Sequence, residues 1–395
     1  MVLGLFMMLA CSFGYLTSWG VFQSYYENPS NNILKSSSSS DIAWIGSTQT
    51  AMAYFMLLLS GPICDRGHFR AALIVGCIGI VLSTFLVAEC HNYWHFILCQ
   101  GVLSGISIGL SSGAAPVIIP QWFRQRRGLA FGVAYAGTPI GGILIPIIGR
   151  DLFPKIGFAW TMRVFGFIFL VLSVICCILA RPPSLRNTTS SDSNILHRRL
   201  FTLKGLLYPP YVAYTISTFL VLMGLYTLPA YVGTTAMSLG LSESRAFYMV
   251  SVANGGSGIG RVGGGFLADK IGSLNVQFCA LIISTAMTFA WPFAKTEAAL
   301  LAITLFYGIG LGTYIALEAD PVARMADPGD LGRLLGVMWA LGGISSLLSL
   351  PVPAKVNKVY GTKAMGFYTG SMILGGALLL LLARFLVMKK LVAKA

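Results

Sequence analysis

Two stretches decide the fold: Gly61-Pro-Ile-Cys-Asp65-Arg66-Gly67 and Gly265-Phe-Leu-Ala-Asp269-Lys270-Ile-Gly272, each closing an apolar segment, 204 positions apart. The same offset aligns Gly128-Leu-Ala-Phe-Gly132-Val133-Ala-Tyr-Ala136 with Gly332-Arg-Leu-Leu-Gly336-Val337-Met-Trp-Ala340. One offset shared by two separate places indicates a duplicated architecture. In an apolar chain, duplicated halves point to a membrane carrier built from repeats.

The apolar character is not in question. Of 395 residues, 56% are hydrophobic and 10% charged, whereas a soluble chain carries about a quarter charged residues. The apolar blocks run to roughly 20 residues, enough to cross a hydrocarbon core about 30 Å thick. They are continuously apolar rather than alternating over about 10 residues, so they read as helices and not barrel strands. Twelve spans are predicted, at 2–25, 42–64, 70–89, 94–119, 127–149, 157–180, 207–232, 245–268, 274–293, 298–319, 331–353 and 364–388. A polar stretch at 181–206 splits them six and six. The expected architecture is therefore an all-α membrane protein of two pseudo-symmetric six-helix bundles, 1–180 and 207–395, joined by a cytosolic linker at 181–206.

A net charge of +14 fits basic loops beside anionic lipid, not nucleic acid. With both termini cytosolic, about 17 Lys and Arg fall inside and about 8 outside, the bias that sets orientation. The inside group includes Arg66, Arg70, Arg124, Arg126, Arg127, Arg198, Arg199, Lys389 and Lys390, and the outside group Lys35, Arg150, Lys355 and Lys358. In this topology the sequon at Asn187 is cytosolic and stays unmodified. The first block opens at Met1 with no basic n-region, so it reads as a membrane helix and not a cleaved signal. A helix that opens this early is unusual, and a cytosolic tail ahead of it is one explanation. The eight cysteines lack metal-ligand spacing and read as reduced packing residues. No metal, no other cofactor and no catalytic constellation is expected. Gly258-Ile-Gly260-Arg-Val-Gly263 matches a dinucleotide fingerprint, but it lies inside a membrane helix with no strand before it.

Chemistry concentrates in three places. Asp65, Arg66, Asp269 and Lys270 are the expected gating charges: each Asp sits at a helix end, free to pair with a neighbouring Arg or to face the positive N-terminus of another helix. In span 8, Ser251, Asn254, Ser257 and Arg261 recur at helical spacing and share one face. An intramembrane Arg costs at least about 2.5–3.5 kcal/mol on insertion scales, so Arg261 faces a cavity, pairs with Asp269, or snorkels to the surface. In span 4, Gly101, Gly105, Gly109 and Gly113 form a ridge for close helix packing. The stripe Gln100, Ser104, Ser107 and Ser111 either lines a cavity or bonds its own helix backbone. Glu318, near the end of span 10, is a candidate proton carrier or a structural helix-end charge.

The paired Asp-Arg/Lys loops resemble the signature of the major facilitator superfamily. The first copy departs from the family pattern, because Gly67 follows Arg66 directly. Trp122-Phe123-Arg124-Gln125-Arg126-Arg127-Gly128-Leu129-Ala130-Phe131-Gly132, continuing to Ala134-Tyr135-Ala136-Gly137-Thr138, is similar to the monocarboxylate-porter signature. Trp19-Gly-Val-Phe-Gln-Ser-Tyr-Tyr-Glu27 and Asp41-Ile-Ala-Trp44-Ile-Gly-Ser-Thr-Gln49 resemble fungal members of that branch. The resemblance implies two halves rocking around a midplane site, with spans 1, 4, 7 and 10 lining it and Arg261 holding a substrate carboxylate. Lactate-type members carry an Asp one turn before this Arg and a Lys in span 1. Here the first is Ser257 and the second is missing, which weakens proton–lactate symport and favours a larger or less acidic cargo. Gly137-Thr-Pro139-Ile-Gly141-Gly142 resembles the antiporter motif of drug exporters, with its proline displaced by one. The expectation is a plasma-membrane monomer in contact with lipid that exports a small organic anion or carboxylate-bearing secondary metabolite, with the proton a candidate coupling ion. Uptake of a nutrient acid or vitamin is the alternative, and a non-transporting receptor on the same fold a remote one.

Overall fold

The computed structural model describes residues 1–28, 31, 33–34, 37–123, 125–180, 205–327 and 329–388. Nearly all of the expected linker, with Asn187, lies outside them, as do Lys35, Arg124, Arg198, Arg199, Lys389 and Lys390. Among the described residues there are helices and no strands.

Among the described residues, nine helical stretches are long and apolar enough to cross a membrane. In chain order they begin with α1 (Val2–Glu27), α2 (Asp41–Asp65), α3 (Phe69–Val87) and α4 (Tyr93–Trp122). Arg127–Leu179 is divided at Gly157, whose φ of 76° has no place in a helix, into α5 (127–156) and α6 (158–179). Next come α7 (Pro209–Ser238) and α8 (Glu243–Ile271). The 29-residue α8 is long enough to cross, but its polar face and many glycines make it less apolar than the nine. Then follow α9 (Ser273–Phe293) and α10 (Glu297–Met325). Leu331–Met388 is divided at Gly361, φ 85°, into α11 (331–360) and α12 (362–388). Twelve membrane-length helices result among the described residues, as the apolar blocks predict.

The expected loop at 150–156 is instead helix. Lys155 reaches Asp151 one turn back at 2.6 Å, so α5 continues past its apolar block. Hydropathy marks where lipid ends, whereas a helix ends where its hydrogen bonding does.

Proline places four of the breaks inside helices. Breaks fall at Gly113, Ala136, Tyr226 and Glu318, each three residues before a proline: Pro116, Pro139, Pro229 and Pro321. A proline has no N–H to give the carbonyl four residues back, and its ring crowds that carbonyl. Each break therefore frees a carbonyl that needs another donor in lipid. In α1 the breaks at Ser12 and Ser18 have a different cause. Ser12 Oγ donates to the Met8 carbonyl at 2.8 Å and Ser18 Oγ to the Gly14 carbonyl at 2.7 Å, a back-bonding that bends helices.

By packing, the chain forms two compact units. One comprises Met1–Trp122, Gly137–Leu200 and Gly329–Ala340; the other comprises Phe123–Ala136, Phe201–Pro328 and Leu341–Ala395. In the first unit the glycine ridge of α4 lies against α2: a Cβ on Gly109 would sit 2.3 Å from the Ala53 carbonyl oxygen. In the second, α8 and α10 approach equally closely, and a Cβ on Gly260 would sit 2.1 Å from the Ile309 oxygen. Such approach is how membrane helices gain packing energy where lipid is as apolar as leucine.

Candidate functional site

The repeated Asp residues cap helices. In the first unit, Asp65 at the end of α2 accepts the Gly332 N–H at 3.0 Å and the Arg333 N–H at 3.1 Å, in the first turn of α11. In the second, Asp269 in the last turn of α8 accepts the Gly128 N–H at 2.7 Å and the Leu129 N–H at 3.0 Å, in the first turn of α5. The offset that aligned the sequences maps one cap onto the other. A helix start offers unbonded N–H groups and a positive dipole end, and a carboxylate satisfies both. Glycine is what permits the approach. A Cβ on Gly128 would lie 2.6 Å from the Gly265 oxygen, and one on Gly332 would lie 2.2 Å from the Gly61 oxygen. Of the two partners open to each Asp, the helix N-terminus is the one found. Arg66 and Lys270 are exposed and take no part in the caps; the Lys270 ammonium sits 4.3 Å from the Phe266 ring centroid.

Beside the Asp269 cap is an ion cluster that sequence reasoning missed. Asp320, 1% exposed in its side chain, receives the Nε–H of Arg127 and, at 3.0 Å, that of Arg324. In sequence Arg127 is one more loop charge. The available signal was Asp320-Pro321 at a helix break, an acidic group where the ladder is interrupted.

Arg261 is 4% exposed. Its Nη1 donates to the Tyr135 carbonyl at 2.7 Å and its Nε to Ser257 Oγ at 3.3 Å. Among the described residues no carboxylate pairs with it. The alternative in which Asp269 neutralises it does not occur, since Asp269 holds the start of α5. The Tyr135 carbonyl is the one freed by Pro139. The carbonyl freed by Pro229, that of Leu225, is likewise taken by a side chain, the Tyr307 hydroxyl. Tyr135 and Tyr226 lie within electrostatic reach of the guanidinium, so Arg261 stands beside the breaks of α5 and α7. Asn254 shares its helix face, half-buried, with no hydrogen bond among the described residues.

The α4 stripe lies in the other unit and is occupied internally. Gln100, fully buried in a π-helical stretch at Ile97–Leu103, accepts from Tyr26 at 2.7 Å and donates to the Tyr15 hydroxyl at 3.0 Å. Ser104 accepts from Gln49 at 2.8 Å. Ser107 donates to the Leu103 carbonyl at 2.6 Å and Ser111 to that of Ser107 at 2.9 Å. These two abut α3, where a Cβ on Gly79 would meet the Ser107 hydroxyl at 2.2 Å. Of the two readings of the stripe, backbone bonding is the one found for both serines. Glu318, 7% exposed, sits at the α10 break, and its backbone carbonyl accepts the Tyr214 hydroxyl at 2.9 Å. No group of His, Cys, Asp and Glu able to hold a metal occurs among the described residues.

Twelve membrane-length helices among the described residues, repeat-related carboxylate caps and a buried guanidinium define a helical membrane transporter. The chain belongs to the Major Facilitator Superfamily, whose family model matches residues 1–350. It is 30% identical over 395 residues to the agnestins efflux protein AgnL12 of Paecilomyces divaricatus, covering 100% of this chain and 89% of that protein. It is 32% identical over 377 residues to the aspyridones efflux protein apdF of Emericella nidulans, covering 94% and 74%. The structure superposes on the proton:xylose symporter XylE with a TM-score of 0.74 at 14% identity, covering 95% of this chain and 94% of that one, a likeness of fold alone.

Proposed function

We propose that the chain exports an organic anion, a carboxylate-bearing secondary metabolite, and that Arg261 holds its carboxylate. The observation that carries this is the state of Arg261: buried, bonded to a serine and a backbone carbonyl, and without a carboxylate partner among the described residues. A buried cation usually has an anionic partner. A carboxylate cargo supplies it, and the guanidinium fork suits that geometry. Asn254 and Ser257 are polar groups on the same helix face. Export draws support from the relatives that are efflux proteins.

The caps at Asp65 and Asp269 act as gating elements, their hydrogen bonds to the starts of α11 and α5 breaking and re-forming once per cycle. Both termini lie in the cytosol of a plasma-membrane monomer, in keeping with the basic bias of the loops, and the likeness to monocarboxylate porters lies in the span 5 signature. Proton coupling would use Glu318 at the α10 break. The test is Arg261→Ala: transport is lost while the amount of protein at the cell surface stays normal. Wild-type flux in that variant refutes the anion contact. Flux measured from each side of oriented vesicles decides direction.

A further inference from the structure

Pro139 belongs to a motif that neither the caps nor the anion contact accounts for. Its consequence is local. Lacking an N–H, it leaves the Tyr135 carbonyl without a helical donor, and the α5 ladder breaks at Ala136. In lipid such a carbonyl needs a new donor, and the donor found is Arg261 Nη1 at 2.7 Å. The α7 break repeats the device with a neutral donor, Tyr307 on the Leu225 carbonyl. The two prolines thus do the same thing to their helices, but only one of the freed carbonyls recruits a charged side chain.

We propose that Pro139 is a positioning residue that acts through the Tyr135 carbonyl: with no cargo bound, that carbonyl holds the Arg261 guanidinium, and an incoming carboxylate exchanges with it. This rests on the reading of Arg261 as the anion contact. The exchange serves two ends. It keeps a buried cation hydrogen-bonded between cargoes, so the site does not collapse onto an internal carboxylate that cargo could not displace. It also makes cargo affinity the difference between a charge pair and a charge–dipole bond, which leaves binding reversible. Pro139 therefore tunes affinity without touching cargo.

The experiment uses the full-length chain reconstituted in lipid. Phenylglyoxal modification of Arg261 is followed by peptide-resolved mass spectrometry, with benzoate and 2-naphthoate as protecting probes. Pro139→Ala restores the missing amide, and hydrogen exchange over 135–141 reports whether it bonds the Tyr135 carbonyl. Pro139→Ser carries the same amide and replaces the alanine variant if that one fails to fold. The expected result is modification about tenfold faster than wild type, the factor for one hydrogen bond to a charged group. Half-protection should come at a correspondingly lower carboxylate concentration. Pro116→Ala, which mends the α4 break in the other unit, leaves Arg261 unchanged, so a general loosening of the fold is separated from the specific effect. Unchanged modification and unchanged protection, with the new amide protected from exchange, overturn the proposal. Failure of either carboxylate to protect wild-type Arg261, together with normal transport by Arg261→Ala, marks failure of the anion-contact reading itself, and the exchange falls with it.

Discussion

Asp269→Asn isolates one cap. Each carboxylate oxygen takes one backbone N–H, from Gly128 at 2.7 Å and Leu129 at 3.0 Å. The carboxamide keeps one oxygen and turns its NH2 toward the other N–H, which then has no acceptor. Losing the negative charge at a helix start costs about 0.3–2 kcal/mol. Leaving one part-buried donor unmatched costs about 1–3 kcal/mol. At this half-buried position a combined figure of about 2 kcal/mol is reasonable, or roughly 30-fold in the balance between capped and uncapped conformations. Amide hydrogen exchange measures that balance. In Asp269→Asn, the amides of Gly128 and Leu129 should exchange about 30-fold faster, whereas those of Gly332 and Arg333, capped by Asp65, keep their wild-type rates. Asp65→Asn should give the mirror image. The caps share no residue, so the double variant should be additive. Transport should change mainly in turnover, with cargo affinity less affected. Unchanged exchange at Gly128 and Leu129, or equal loosening of both helix starts, refutes the reasoning, and a pure loss of affinity removes the gating role.

Gln100→Leu strands the hydroxyls of Tyr15 and Tyr26 in the interior of the first unit, so it should cost about 2–4 kcal/mol; a thermal-shift assay that finds wild-type stability contradicts the structural role of that glutamine. Arg127→Met breaks one of the two bonds to buried Asp320. Because Arg324 stays in place, the loss should fall below the roughly 3–5 kcal/mol of an orphaned buried charge, and Arg127→Met/Arg324→Met should lose distinctly more in the same assay. Gly332→Ala drives a methyl to 2.2 Å from the Gly61 oxygen and 2.8 Å from an Asp65 oxygen. It should push α11 off α2, release the cap, and raise exchange at 331–336 at least as much as Asp65→Asn does.

Much of the fold was legible because its causes are local. Blocks of apolar residues define membrane helices, whereas the division of the long ones at Gly157 and Gly361 is seen only in the structure. The two Asp residues were legible as a matched pair of helix-end charges because their surroundings recur at one offset. Their partners were not, since both a neighbouring Arg and a helix start satisfy a carboxylate. The choice depended on how close two backbones come, which Gly61, Gly128, Gly265 and Gly332 permit. The α4 stripe shows the opposite limit. Its spacing placed Gln100, Ser104, Ser107 and Ser111 along one helix, but the direction they face follows from α1, α2 and α3, whose Tyr15, Tyr26, Gln49 and Gly79 take them up.

The sequence by itself determined a duplicated helical membrane protein and its twelve crossings. The crossings follow from apolar blocks of about 20 residues, and the duplication from one offset shared by two separate places. Only the tertiary structure decided what the charged groups do. Asp269 meets the start of α5 across 141 positions, and Asp65 meets the start of α11 across 267. Arg261 finds its carbonyl 126 positions away. A helix break announces that a carbonyl is free, but which donor reaches it depends on how separate helices pack, and no local pattern records that.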